Sequence, residues 1–352
     1  MPKASMFDGA RWDDQFFTAK DALAPRAPTC YLIEGLVPIP SLSIFYGLPA
    51  SYKTNLVIDG MTCVSLGEIW LKGDDFRGFG TLRKPILWID ADSGIDILHE
   101  RFAASLRTHG KTQGQQIAAP IRYASFLDPA FCVTDDASVA ELIRRAKQYE
   151  AGAIVFDNLG TISGGVDENS SLMIPLMSRL RQISTRACTA VILIHHIVKH
   201  EIKNSRTSPR GHGSIEAAVD FAFHVSADDN LVTIENTKSR RARQPAFSAL
   251  FEYEHKPKTQ DLKTMNFVGM KPELPPEYVT ARRLLIAHFD KHPQGSNQRE
   301  LVTVIKSKRI GDNKARAILH TLTRSNFLTM KSGQAHTHIY KLGNKDAEIT
   351  LL

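Results

Sequence analysis

The sequence predicts an α/β protein in which a mainly parallel sheet is interleaved with helices and followed by a small α+β domain. Three observations point there. Short apolar runs alternate with amphipathic segments from Leu42 to Arg186, as in a sheet covered on both faces. A glycine-headed loop, Gly47 to Thr54, joins the first of those runs to the first amphipathic segment. Charge is also segregated. The 352 residues carry a net +7, and thirteen Lys/Arg against six Asp/Glu from Pro275 onward account for all of it.

Residues 1–40 contain Pro25, Pro28, Pro38 and Pro40 with little periodicity and are expected to form an N-terminal arm. Residues 41–270 form the main domain. Its buried strands are expected at Leu42–Tyr46, Ile86–Ile89, Ala153–Phe156 and Ala190–Ile194. Helices are expected at Lys53–Leu66, Asp96–Arg107, Ser138–Tyr149 and Ser171–Arg186. After Asp220 the pattern changes to strands joined by short loops, at Phe221–Ser226, Leu231–Thr237 and Ala249–Glu254. A Pro-rich linker, 271–276, leads to a domain at 277–345. There the pattern predicts helices at Glu277–Lys291, at Gln298–Ser307 capped by Ser296, and at Asn313–Ser325 capped by Asp312. A hairpin, Phe327–Lys331 and Thr337–Leu342, turns at Ser332 and Gly333. Three helices and a hairpin in that order describe a winged helix.

Composition excludes several classes. Hydrophobic residues make up 43% and charged ones 23%, an ordinary globular balance. The longest strongly apolar runs, such as Ala190–Ile194, are far shorter than the roughly 20 residues that cross a bilayer. Asp8, Asp13 and Asp14 stand where a signal peptide would be apolar. No membrane association is expected. Cys30, Cys63, Cys132 and Cys188 lie far apart without CxxC or Cys/His ligand spacing, so neither a disulfide framework nor a zinc finger is signalled, and a cytoplasmic location is expected.

The loop Gly47-Leu48-Pro49-Ala50-Ser51-Tyr52-Lys53-Thr54 follows a buried strand and opens a helix, the context of a phosphate-binding loop. Gly47, Pro49, Ala50, Ser51 and Tyr52 would surround a triphosphate with backbone N–H groups. Lys53 would reach the β and γ phosphates, and the Thr54 hydroxyl would ligate Mg²⁺. Tyr52 replaces the usual glycine, and its side chain is expected to point away from the phosphates. About a hundred residues on, Ala153–Asp157 is an apolar strand ending in a carboxylate, so Asp157 would hold the Mg²⁺ shell. Ile86–Ile89 is followed by Asp90-Ala91-Asp92-Ser93-Gly94, where a carboxylate can orient the attacking water. Strand alternation points Asp90 and Asp92 the same way; Asp92, nearer the strand tip, is the expected base, and helix capping competes for both. His195 and His196 end the strand Ala190–Ile194, with Lys199 beyond, and His196 is expected to sense the γ phosphate.

This combination resembles the RepA-like branch of the RecA-fold ATPases, the plasmid and phage replicative helicases. The matching pieces are Tyr31–Leu36, Gly47–Thr54, Ile86–Gly94, Asp157-Asn158-Leu159, Asp167-Glu168-Asn169-Ser170, His195-His196 with Lys199, and Arg210-Gly211 with Ala217–Asp220. The resemblance implies a RecA-like core and a homo-hexameric ring with ATP between neighbouring subunits. Asp92-Ser93-Gly94 stands where the family has Glu-Asp-Gly. Arg210 matches an arginine near the nucleotide, and Lys238-Ser239-Arg240 resembles a finger donated by the neighbour, with Lys238 and Arg240 as its cations. The basic segment Lys199–His212 matches loops that face the ring's channel, where Lys203, Arg206 and Arg210 would track single-stranded DNA.

In the tail, Asn313, Lys314, Arg316, His320 and Arg324 form the outer face of the third helix, suited to a duplex major groove, with Ala317, Ile318, Leu322 and Phe327 turned inward. The expected activity is that of an ATP- and Mg²⁺-dependent helicase in replication of a plasmid, phage or mobile element. The competing expectations are an ATP-dependent DNA-binding switch or recombination accessory without unwinding, and a non-enzymatic transcriptional regulator.

Overall fold

The computed structural model describes residues 16–166, 170–196, 214–242, 244–270, 276–306, 310–332, 338–345 and 347. The chain divides into two units, Met1–Cys30 and Tyr31–Leu352. The described part of the first unit holds one short helix, α1 (Ala19–Leu23), opened by a capping box. The Thr18 hydroxyl accepts from the Asp21 amide, and the Asp21 carboxylate accepts from the Thr18 amide.

The second unit begins with a small antiparallel pair, β1 (Tyr31–Ile33) and β2 (Val37–Pro38), then β3 (Ser41–Gly47), α2 (Lys53–Leu66), β4 (Ile86–Asp90), α3 (Ile95–His109) and α4 (Gln113–Ile117). Next come β5 (Ile121–Ser125), α5 (Asp136–Gln148), β6 (Ala153–Asp157), α6 (Leu159–Ile162), α7 (Met173–Ala187), β7 (Ala190–His196) and α8 (Ser214–Ala218). Four long strands close the sheet: β8 (Phe221–Asp228), β9 (Leu231–Ser239), β10 (Phe247–His255) and β11 (Leu262–Met270). The nine-stranded sheet runs β11-β10-β9-β8-β3-β7-β6-β4-β5. From β8 to β5 every neighbouring pair is parallel, and from β8 to β11 every pair is antiparallel. β7 thus lies between the strand carrying the glycine-headed loop and the strand ending in Asp157, the order of a RecA-like P-loop core.

Burial explains why the central strands read as unbroken apolar runs. All seven residues of β3 and all five of β6 are buried, because helices cover both faces. Alternate side chains then enter opposite cores. Phe45, Trp88, Val155 and Ile192 pack with α2 and α3, whereas Ile44, Leu87, Phe156 and Leu193 pack with α5, α6 and α7. The segment 31–40 does not behave as an arm: Leu32, Ile33, Leu36 and Val37 belong to the first of these cores. β5 and β11 have no counterpart in the sequence-based expectation. Each is an edge strand with mixed burial, so its apolar pattern is diluted.

A buried ion pair joins α2 to α3. His109 Nε2 lies 2.7 Å from Asp59 Oδ1, and Trp70 Nε1 donates to Asp59 Oδ2 at 3.1 Å. Burial pushes the His109 imidazole down, but the charge and hydrogen bond of Asp59, helped by Glu68, outweigh it and hold the pKa above the ordinary value. Cys63 Sγ completes a cluster with Asp59 and His109 that no sequence spacing signalled. Its sulfur lies 3.7 Å from both imidazole nitrogens and so on the axis of neither lone pair. The arrangement is that of a packed ion pair.

The C-terminal elements are α9 (Pro276–Lys291), β12 (Ser296–Asn297), α10 (Gln298–Lys306), α11 (Asp312–Arg324), β13 (Leu328–Ser332) and β14 (His338–Leu342). They form a separate three-stranded sheet, β12-β14-β13, and a core drawn entirely from residues 278–347. Two caps differ from expectation. Asn297, not Ser296, exchanges bonds with Glu300 to open α10; Ser296 is buried in β12 and bonded to His288 Nε2 at 2.8 Å. Asp312 is the first residue of α11 and accepts from Lys306 and Arg316. Ala315 rather than Ala317 packs inward beside Ile318, Leu319 and Leu322, while Ala317 is exposed. Positions 315, 318, 319 and 322 follow the helical period, which 317 breaks. The hairpin turn at Gly333 and the start of its second strand at Thr337 lie outside the described residues. Among the described residues no helix is long and apolar enough to cross a membrane.

Candidate functional site

Parallel sheets bind ligands beyond the carboxyl ends of their strands, and here those ends gather the titratable groups. β3 ends at Gly47, where a Cβ would come within 2.1 Å of the Val225 carbonyl oxygen, so no other residue fits. The loop then turns through two left-handed residues, Ala50 (φ 62°) and Tyr52 (φ 59°), each strained by about 1–2 kcal/mol. Pro49 and Ala50 are exposed, and Ser51 is buried beneath them. Tyr52 does point away from the loop: its ring packs on Phe251 of β10, with centroids 4.7 Å apart.

Lys53 opens α2 with its side chain folded into the loop. Its Nζ donates to the Leu48 carbonyl at 2.6 Å and to Ser51 Oγ at 3.3 Å. Burial lowers its pKa to about 8 against the opposing pull of Asp157 and Asp92. Beside it, Thr54 Oγ1 donates to Asp157 Oδ2 at 2.9 Å. The other oxygen, Oδ1, is buried and has no hydrogen-bond partner among the described residues. Burial raises the Asp157 carboxyl to about 7; the Thr54 hydrogen bond and Arg101 oppose the rise, and Asp92 and Asp90 reinforce it. An unpaired carboxylate oxygen next to a hydroxyl, both within an oxygen-rich rim, fits a hard divalent cation such as Mg²⁺. Thr54 and Asp157 would hold it.

Asp90 and Asp92 do not point the same way. β4 ends at Asp90, which is fully buried and accepts from the amides of Ser93 (3.1 Å) and Gly94 (3.0 Å) and from Ser125 Oγ (2.6 Å). Asp90 therefore shapes the turn that opens α3. Asp92 rides on that turn, is 45% exposed, and brings Oδ2 to 3.8 Å from His196 Nε2. His196 pairs in register with Gly47, which sets it against the start of the phosphate loop. Its Nδ1 is buried without a hydrogen-bond partner among the described residues. Burial and Lys53 hold its pKa below the ordinary value despite the opposing pull of Asp92, so the ring is neutral at neutral pH.

Sequence reasoning missed Arg101 of α3, whose Nη1 donates to Ser93 Oγ at 3.2 Å. Burial lowers its pKa against the pull of Asp157, Asp90, Glu100 and Asp92, which places it beside the same carboxylates. A signal existed. Arg101 follows Gly94 by seven residues, two helical turns, and long helical side chains lean toward the N-terminus.

Lys238 and Arg240 are not brought to this rim. They end β9, which returns antiparallel to β8, so Ser239 is level with Phe221 and hence with Ser43, about 13 Å of strand from Gly47. Both are nonetheless hydrogen-bonded. Lys238 Nζ donates to the carbonyls of Glu216 and Ala217 at the end of α8, and Arg240 donates to Ala217 and pairs with Asp220 at 3.3 Å. On α11, Asn313, Lys314, Arg316, His320 and Arg324 are all exposed on one side. Arg316 is paired with Asp312 at 2.7 Å, and Lys314 lies 3.8 Å from Glu277. Lys199, Lys203, Arg206, Arg210 and Asp167–Asn169 lie outside the described residues.

Residues 11–201, more than half of the chain, match the family described as an AAA domain. The chain belongs to that AAA-domain family. It is a P-loop ATPase with a RecA-like core. No curated protein matches it. Among solved structures, a KaiC-like protein from the hyperthermophilic archaeon Pyrococcus horikoshii OT3 is similar at 14% identity over 70% of this chain and 100% of that one, with a TM-score of 0.45.

Proposed function

We propose that this AAA-domain protein is an ATP- and Mg²⁺-dependent DNA motor of the RepA-like type. It would work as a homo-oligomer, most simply a hexamer, in the cytoplasm, in replication of a plasmid, phage or other mobile element. Residues 31–270 would be the ATPase domain, 1–30 an arm, 271–276 a linker and 277–345 a winged-helix domain for duplex DNA. The observation that carries the reading is the rim itself, where Lys53, Thr54, the half-satisfied Asp157, Asp92 and neutral His196 meet.

In this reading Lys53 leaves the Leu48 carbonyl for the β and γ phosphates, offering them a cation already desolvated. Thr54 and Asp157 would hold Mg²⁺, which when bound would supply positive charge for the leaving and transferred groups. Asp92 accepts a proton from the attacking water, and neutral His196 contacts the γ phosphate and registers its loss. Lys238 and Arg240 sit at the opposite end of the sheet, as groups serving a neighbour's nucleotide would, and would have to exchange their α8 carbonyl partners to do so. Lys203, Arg206 and Arg210 would line the channel. The exposed cations of α11 would meet duplex phosphates and base edges.

ATP turnover measured with and without single-stranded DNA, alongside the mass in solution, tests this. The motor reading expects turnover stimulated by DNA from an assembly larger than a dimer. A second reading, an ATP-dependent DNA-binding switch, is favoured by the exposure of Asp92, whose side chain is one methylene shorter than glutamate. Slow turnover without strand displacement on a forked duplex would select the switch.

A further inference from the structure

We propose that Arg101 is a positioning residue that, through Ser93, holds the Asp90–Gly94 turn so that Asp92 faces the attacking water. The proposal rests on the reading of Asp92 as the base. Asp90 and Asp92 differ in how each is aimed. Asp90 is fixed by three hydrogen bonds to its own carboxylate. Among the described residues Asp92 makes only the 3.8 Å approach to His196. Its direction is therefore set by the backbone that carries it, and that backbone is held at two points. On one side Asp90 accepts from the amides of Ser93 and Gly94. On the other, Arg101 Nη1 donates to Ser93 Oγ at 3.2 Å. Ser93 adjoins Asp92, so its displacement moves the carboxylate directly.

Arg101 can reach back because it lies on the second turn of α3, and helical side chains lean toward the N-terminus from which the turn departs. It is half-buried, and the charges of Asp157, Asp90, Glu100 and Asp92 act on it from beyond ion-pair distance. A guanidinium stays charged even where burial disfavours it, so its bond to Ser93 Oγ is charge-assisted. No carboxylate among the described residues lies within ion-pair distance of it, so its one short contact is to the turn itself. Catalytic groups must be held within about 0.5 Å of productive geometry by their support, and this contact is one of the two supports of the turn that carries Asp92.

The test is a double-mutant cycle on steady-state ATP hydrolysis by the full chain, using Arg101→Met, Arg101→Lys, Ser93→Ala and Asp92→Asn, with folding checked by thermal melting. Arg101→Met is expected to lower kcat about 10- to 100-fold, as loss of support for a catalytic group does, with KM for ATP nearly unchanged. It should add little to Asp92→Asn, because the arginine acts through that aspartate. Arg101→Lys should recover part of the loss, and Ser93→Ala should reproduce part of it. Normal kcat in Arg101→Met, a loss confined to KM, or full additivity with Asp92→Asn would each overturn the proposal. If Asp92→Asn itself turns over normally, the base assignment fails instead. Coupling between Ser93→Ala and Arg101→Lys, both conservative, then still decides whether Arg101 holds the turn: no coupling overturns that role as well.

Discussion

At the carboxyl ends of the parallel strands Asp157 is buried with one oxygen unpaired, whereas at their amino ends Asp220 is bonded on every side. The Leu42 amide donates to Asp220 Oδ2 at 2.9 Å, Arg181 contacts both oxygens at 2.9 and 3.1 Å, and Arg240 approaches Oδ1 at 3.3 Å. Arg181 also donates to the Ala218 carbonyl. Charge at the amino end is spent on joining β3, α7, α8 and β9. At the carboxyl end charge is instead suppressed: Asp157 sits at about 7 and Lys53 at about 8, each displaced by burial toward its uncharged form. One end is finished by the fold, and the other awaits a ligand to complete it.

The largest effect separating the ends should come from Lys53→Ala. It removes the cation facing the β and γ phosphates and should lower phosphate release by about 10²- to 10³-fold. Turnover near wild type would remove the phosphate-loop assignment.

Asp157→Asn should raise stability at the expense of activity, whereas Asp220→Ala should lower stability alone. The folded Asp157 carboxyl holds its proton up to about pH 7, and the unfolded one releases it near its model value of 3.8. Between those values the folded state binds more protons, so nucleotide-free protein should lose stability as pH rises from 4 to 7. Asp157→Asn should flatten that slope and melt higher than wild type at pH 8, while lowering Mg²⁺-dependent turnover by about 10²-fold. Asp220→Ala should cost about 1–2 kcal/mol, mainly through the bonds lost from the Leu42 amide and Arg181, since both arginines remain partly in water, and leave turnover per folded molecule close to wild type. Urea melts across pH with parallel turnover assays check both; the comparison fails if Asp157→Asn melts lower than wild type at pH 8.

The smallest expected effect lies in the tail. Replacing Lys314 and Arg316 with Ala should weaken duplex-DNA binding and make the slope of log affinity against log salt shallower by about two units. Arg316 already shares its charge with Asp312, so Lys314→Ala alone should carry more of the change. Binding unaffected in the double variant would point to a protein-docking role for this domain.

The parts legible in sequence were those decided by local chemistry and period. Buried strands announced themselves at Ala153–Phe156 and Ala190–Ile194, which the structure extends to Asp157 and His196, because two covered faces leave no polar alternation. The glycine-headed loop was legible because strand, turn and helix are contiguous. Side-chain aim was not. Asp90 and Asp92 look equivalent on an extended strand, but β4 stops at Asp90 and the turn bends the next residues out of alternation. Arg101 enters the site from a helix that begins after the motif ends, and Asp59 meets His109 only because α2 and α3 pack together. Lys238 and Arg240 were legible as cations, while their distance from Gly47 follows from the antiparallel return of β9.

Tyr52 has a thermodynamic consequence. A glycine in its place would leave the loop free in the empty protein and make the nucleotide order it. Here the ring is anchored on Phe251, so much of that ordering is complete before any ligand arrives, and little conformational entropy remains to be lost on binding. Calorimetry of nucleotide binding should therefore give a less unfavourable entropy for the wild type than for Tyr52→Gly. The same anchor ties the phosphate loop to β10, in the antiparallel half of the sheet.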